Sequence, residues 1–323
     1  MFRAIATRIA TAAITLLLVT MVVFALLCAL PGDPSGVDDA PRPLPPEYRA
    51  ALRAQYHLDD AWPLRYGRWV RDLLRGDLGT SFSAQQPVAT MLRERLPVSM
   101  GLNTLGLLAM LGVAVPLAIV GAAKPNGPWD RAGWITTTAL HAVPVFWTAL
   151  LLQWFFAIRL GWFPLSGLTT DGTRGASSAA SVVDAGRHLV LPALCLALGG
   201  LAYVTRFVRT NLVEATAGEG GRAARARGLS TLQYVARHGT VQAVVPLLTL
   251  AGFLIPRLVA GSLLVEAIFN IPGLGSLLFD SILARDLPVV LALTWLSGLA
   301  TLAGTTLADI LIVWLDPRVR RAA

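Results

Sequence analysis

The chain has 323 residues, 55% of them apolar and 14% charged, with a mean hydropathy of +0.62 and a formal net charge of +8. A soluble domain carries about 25% charged residues, and this apolar surplus exceeds what a core of such a chain absorbs, so ordinary soluble classes are excluded. The apolar residues fall in blocks of about 20 or more, enough at 1.5 Å per residue to cross the ~30 Å hydrocarbon layer. The chain therefore reads as an all-α, polytopic integral membrane protein.

The first charge-free run, 9–30, follows Arg3 and Arg8. At about 22 residues it is longer than the 7–15 of a cleavable signal and lacks a small-residue cleavage site, so it is expected to stay as an anchor. Runs at 98–123, 133–158, 189–205, 241–265 and 288–315 bring the expected total to six spans. This divides the chain into an anchor helix with a large outside loop (1–97), a five-helix domain (98–316) and a short tail (317–323). Within the outside loop, Pro-rich 41–46 reads as an extended connection. Glu47 to Leu58 and Trp62 to Leu74 then show helical spacing, with Trp69, Leu73 and Leu74 on one stripe. Gly76-Asp77-Leu78-Gly79-Thr80-Ser81 reads as a turn cluster. Trp134, Trp154, Trp162 and Trp314 stand near span ends, as interfacial anchors do.

Six spans put both termini on one side. With the N-terminus inside, the inner connections hold thirteen basic residues, Arg3 to Arg321, against Asp130, Glu214, Glu219 and Asp316, whereas 31–97 balances nine arginines with nine acids. The positive-inside rule therefore makes both termini cytoplasmic. All basic residues but Lys124 are arginine. Lys124 sits in Ala-Ala-Lys-Pro, which excludes a phosphate-binding P-loop and a buried Schiff-base lysine. Cys28 and Cys195 lie in apolar runs, and His57, His141, His188 and His238 have no ligand spacing, so neither a disulfide nor a metal site is expected. No stretch interleaves dense basic residues with aromatics, which excludes a nucleic-acid partner. The bilayer is the surrounding phase.

The inner loop 206–240 is too long for a simple turn and carries most of the inner charge. Its centre reads Arg222-Ala223-Ala224-Arg225-Ala226-Arg227-Gly228. The alanines favour helix, Arg222 and Arg225 share a face, Gly228 suits a C-terminal stop, and Ser230 can cap a second helix through His238.

These residues resemble a known family. Arg222 to Gly228, with Pro246 after them, look like the EAA loop of permeases in binding-protein-dependent ABC importers of the peptide and nickel branch, B-type. The likeness runs over nearly the whole chain, through Leu30-Pro31-Gly32-Asp33-Pro34, Tyr56-His57-Leu58-Asp59, Arg75 to Ser81, Arg95-Leu96-Pro97, Leu160 to Gly167, His188 to Pro192, Val265 to Gly275, Arg285-Asp286 and Leu315 to Arg318. It implies a type I importer permease fold in the cell membrane and no enzymatic site or cofactor in this chain. Implied partners are a homologous second permease subunit, two cytoplasmic ATPase subunits that bind ATP and Mg, and an extracytoplasmic binding protein. Peptide is the implied cargo, with nickel or a metal chelate as the alternative. Arg222 to Gly228 would form the helix that docks on the ATPase. Gly220-Gly221 and Gln242 depart from the family pattern. Two adjacent glycines cost about 1 kcal/mol each of helix propensity, so the docking helix is expected to start near Arg222.

Three charges fall in or beside spans. Arg257, after Pro256, reads as a path-lining residue that attracts a substrate carboxylate, against snorkelling or pairing with Glu266 at the outer rim. Asp309 and Glu266 read as structural. At 1.5 Å per residue Arg257 lies about 24 Å and Asp309 about 9 Å from the inner ends of their spans, which argues against a direct pair. A stand-alone secondary transporter or channel would need coupling acids in mid-membrane, where only Asp309 is available, and that near one end. A scaffold without transport leaves kinked spans and the basic loop without a common purpose.

Overall fold

A computed structural model of the chain describes residues 2–29, 47, 59–170, 178–236, 254 and 256–315. Apart from one isolated bridge between Thr80 and Pro87, the regular elements described are helical. In chain order they are α1 (Phe2–Ala29), α2 (Trp62–Leu74), α3 (Val88–Ala123), α4 (Pro128–Ala142), α5 (Val145–Leu152) with a π-helical continuation (Gln153–Arg159), α6 (Ser178–Ala217), α7 (Glu219–Ala226), α8 (Thr231–Tyr234), α9 (Leu263–Ile268), α10 (Leu274–Leu283) and α11 (Leu287–Leu315).

Four of these, α1, α3, α6 and α11, are long and apolar enough to cross a membrane, and α4 with α5 and its π-helical continuation passes the same test as a pair bent by 97°, for four to five candidate spans. The bend has a local cause. Pro144 lacks an N–H and disfavours helix at the residue before it, and Val143 is extended at φ −78°, ψ 125°. The expected span at 241–265 falls largely outside the described residues, as do 30–46, 48–58 and 316–323.

Two helices outrun their charge-free cores. The one expected at 98–123 starts at Val88, and the one expected at 189–205 runs from Ser178 to Ala217. A charge-free run marks the part that can meet lipid; the helix continues into polar surroundings, where Arg93, Glu94 and Arg95 on α3 and Arg206, Arg209 and Glu214 on α6 are admissible. The two helices pack along their length, Met110, Ala114, Ala118 and Ala122 of α3 against Ala197, Leu201, Val204, Val208 and Leu212 of α6. Alanine at four-residue spacing lets the backbones approach closely, which is how helices associate in lipid.

Helix α2 packs on the C-terminal half of α1 and the start of α11. Tyr66 and Trp69 pack with Phe24, Leu287 and Leu291, and the Tyr66 hydroxyl donates to the Leu17 carbonyl at 2.7 Å. The expected stripe holds at Trp69 and Leu73 but not at Leu74, which is 83% exposed. Leu74 lies about 100° around the helix from Leu73 and cannot share its face. Trp134, Trp154 and Trp162 are exposed, as side chains meeting an interface are; the side chain of Trp314 is outside the described residues.

Candidate functional site

The inner loop is two short helices fastened to the end of α6. Gly218 is extended and interrupts the helix, and α7 begins at Glu219. The expected start near Arg222 is thus one turn late, and Gly220 and Gly221 belong to the first turn of α7. Tertiary packing explains this. Gly221 lies against the last turn of α6 so closely that a Cβ would stand 2.1 Å from the Thr216 carbonyl oxygen. That approach offsets the helix propensity lost at glycine. Ala224, one turn on, is buried in the α3/α6 core.

The other face of α7 is open, with Arg222, Ala223, Arg225, Ala226, Arg227 and Gly228 all exposed. The helix ends in a Schellman motif. The Gly228 N–H donates to the Arg225 carbonyl at 2.9 Å and the Leu229 N–H to that of Ala224 at 3.1 Å, with Gly228 at φ +81°. Ser230 then opens α8 with a reciprocal cap: the Gln233 N–H donates to Ser230 Oγ at 3.2 Å and the Ser230 N–H to Gln233 Oε1 at 3.0 Å. Helical structure is described as far as Ala236; Arg237 and His238 lie beyond the described residues. Two side chains fasten the pair to α6. Arg225 donates to the Thr216 carbonyl at 3.0 Å and the Tyr234 hydroxyl to that of Ala215 at 3.3 Å.

Close by, in the first turn of α4 and before the charge-free run 133–158, Asp130 ties α6 to the turn between α3 and α4. Arg209 of α6 donates to both its oxygens, at 2.5 and 2.6 Å, and the Asn126 N–H donates at 2.8 Å. The Arg209 hydrogen bonds hold the Asp130 carboxyl below the usual carboxylate range, burial opposing and the Asn126 N–H assisting. The contact is tight: a Cβ on Gly121 of α3 would lie 2.7 Å from Asp130 Oδ1.

A cavity of about 340 Å³ opens where α3, the start of α5, the middle of α6 and residues 254–262 meet. Met110, Val145, Gly199 and Gly200 line it, and Arg257 is the one charged residue of the described wall. Arg257 is exposed and forms no ion pair among the described residues. Glu266, weighed as its partner, is engaged elsewhere. Fully buried, it accepts from Ser99 Oγ at 2.9 Å and the N–H groups of Ser262, Gly275 and Ser276 at 3.0, 2.7 and 3.0 Å. Asp309 lies on α11, with its side chain outside the described residues.

At the opposite end of the bundle from α7, polar contacts join segments far apart in sequence. Asp286, fully buried, accepts from Ser81 Oγ, Ser83 Oγ and the N–H groups of Phe82 and Ser83 at 2.5, 2.7, 3.1 and 3.0 Å. His188 bridges Gly167 O through Nδ1 at 3.0 Å and Thr170 Oγ1 through Nε2 at 3.2 Å. The Gly167 N–H donates to the Phe269 carbonyl, and Gln153 reaches Leu165 O and Ile268 O, so loop 160–170 is seated on α9. Sequence reasoning missed these junctions and the Asp130–Arg209 pair. The available signal was an acid placed directly before an apolar run, as at Asp286, or three residues after a Pro-Asn-Gly turn, as at Asp130. Among the described residues no group of three or more His, Cys, Asp or Glu side chains is placed to hold a metal ion.

Residues 114–321 match the family described as binding-protein-dependent transport system inner membrane component, and residues 1–103 match the N-terminal region of the same membrane components. The chain is 33% identical over 305 residues to an oligopeptide transport system permease protein of Bacillus subtilis, covering 94% of this chain and 95% of that one. It is 36% identical over 316 residues to a putative peptide transport system permease protein of Brucella abortus, with 97% of each chain covered. A probable peptide ABC transporter permease protein of Sinorhizobium fredii is 31% identical over 314 residues, again with 97% of each covered.

Proposed function

We propose that this chain, which belongs to the family of binding-protein-dependent transport system inner membrane components, is the membrane-spanning permease subunit of an ATP-driven importer whose cargo is peptide. It is a multi-pass cell membrane protein and works as part of an ABC transport system. The relatives' names support the peptide cargo, since those covering nearly the whole chain are called peptide or oligopeptide permeases.

The observation that carries the mechanism is the fastening of α7. A helix with an open arginine face, ended by a Schellman glycine and tied at Thr216 and Ala215 to the last turn of α6, is a lever on a span. Its charge points to an acid-bearing groove on a cytoplasmic partner. The sole lysine stands outside any P-loop pattern, so hydrolysis belongs to two ATPase subunits, which hold ATP and Mg. A second permease completes the pathway and an outside binding protein delivers cargo. Closure of the ATPase pair on ATP moves α7 and its equivalent, and the bundle switches from inside-open to outside-open. We place six spans in this chain, with both termini cytoplasmic.

Reconstitution of the complex in proteoliposomes tests this reading. Uptake of peptide should require ATP and the binding protein and be blocked by vanadate. Uptake by this chain alone, without ATP, would make it a channel or secondary transporter instead.

A further inference from the structure

We propose that the cavity beside Arg257 is a carboxylate-reading station on the transport path, at which the guanidinium meets the C-terminal carboxylate of a passing peptide; this rests on the peptide reading above. An arginine within a span is costly unless it faces a partner or a path. Here the described wall supplies no anion. Arg257 is its single charge, it forms no ion pair among the described residues, and Glu266 is filled by four other donors. The charge is therefore left for something that comes and goes.

The rest of the wall fits the remainder of such a ligand. Met110, Leu196 and Val145 are apolar, and at Gly199 and Gly200 the backbone of α6 itself forms the wall. Gly200 is already close-packed, since a Cβ there would stand 2.5 Å from Met110 Sδ. At about 340 Å³ the space lies at the small end of the ~300–1,000 Å³ usual for small-molecule sites. It admits the end of a short peptide. Beside the guanidinium the described wall holds only two uncharged polar side chains, Asn103 and Ser262, so a carboxylate is attracted yet can leave, as a path requires. The same charge repels a bare divalent cation.

The cavity also lies where α6 faces the bend between α4 and α5. Val145 follows the Pro144 bend, and Gly199-Gly200 faces it, with a Gly199 Cβ 3.6 Å from Val145 Cγ2. A ligand held there touches both.

The test compares ATP-driven uptake of dialanine and of dialanine amide by the complete reconstituted complex, carrying either unaltered permease or Arg257→Met. The ratio of the two rates cancels the binding protein's own preference and the amount of complex assembled. Loss of one charge-assisted contact should lower the acid-to-amide ratio about tenfold, and Arg257→Lys should restore most of it. Should Arg257→Met not assemble, Arg257→Gln keeps the hydrogen-bonding and removes the charge, and the same fall is expected. An unchanged ratio in a variant that still transports overturns the station and leaves the importer reading standing. Absence of ATP-driven peptide uptake in the unaltered complex, or ATP-driven uptake of Ni²⁺ alone, overturns both.

Discussion

Glu266 and Asp286 are both fully buried, and each collects four hydrogen bonds, but the donors are distributed differently. Each Glu266 oxygen takes two donors, Ser99 Oγ with the Ser262 N–H on one and the Gly275 and Ser276 N–H groups on the other. Asp286 Oδ2 takes three and Oδ1 only the Phe82 N–H. An amide in place of the acid must turn its NH₂ toward one oxygen's donors. With its NH₂ in the place of Oδ1, Asp286→Asn strands only the Phe82 N–H; with its NH₂ toward Ser99, whose hydroxyl can turn to accept, Glu266→Gln strands only the Ser262 N–H. A stranded buried donor costs about 1–3 kcal/mol. Each variant should therefore lower the melting temperature in detergent by a similar amount, and Asp286→Asn should expose Gly79 to Gln86 to proteolytic nicking. Equal stability of both variants with the parent would show that these carboxylates do not hold the outer junctions. Asp130 gives a pH signature. Its folded carboxyl is held below the usual range by Arg209, so its stabilisation is present above the unfolded value of ~3.9 and is lost as pH falls through the lower folded value. The melting-temperature gap between the parent and Asp130→Asn should be open at neutral pH and close below about pH 4.

Among the elements, α7 separates what neighbouring residues decide from what distant ones decide. Its end was legible in sequence, because a Schellman glycine and a serine cap act within a few residues of themselves. Its start was not, because Gly221 enters the helix to approach Thr216, a contact invisible to helix propensity. Spans followed the same division. Charge-free runs located the parts of α3 and α6 that can face lipid but not their ends, and the acid before the apolar run at Asp286 could not name its partner Ser81, 205 residues away. The α7 reading makes a ranked prediction. Gly228→Ala meets no neighbour within 4 Å and bears only the left-handed φ, a cost of about 1 kcal/mol. Gly221→Ala drives a Cβ into α6 backbone. Both should lower transport per ATP hydrolysed, Gly221→Ala by the larger factor. The reverse order in the reconstituted complex would mean that the bend between α7 and α8, and not the seat of α7 on α6, transmits the movement.

At the scale of the molecule, the described contacts sort into two ends of one bundle. Gly121, Asp130, Arg209, Thr216, Arg225 and Tyr234 meet at one end. Ser99, Glu266, Ser276, Gly167 and Phe269 meet at the other. Along α3 the stretch from Ser99 to Gly121 rises about 33 Å, the thickness of a hydrocarbon layer. Tyr234 lies at the first end and Ser262 at the second. Sidedness is open to direct measurement. With Cys28 and Cys195 replaced by alanine, single cysteines can be placed at the exposed positions Ala84, Lys124, Ala226 and Leu283. A membrane-impermeant maleimide should label Ala84→Cys and Leu283→Cys on intact cells, and Lys124→Cys and Ala226→Cys only after permeabilisation. Labelling of Ala226→Cys and Leu283→Cys from the same side would remove the crossing between them and put α7 out of reach of a cytoplasmic ATPase, or α9 and α10 out of reach of an outside binding protein.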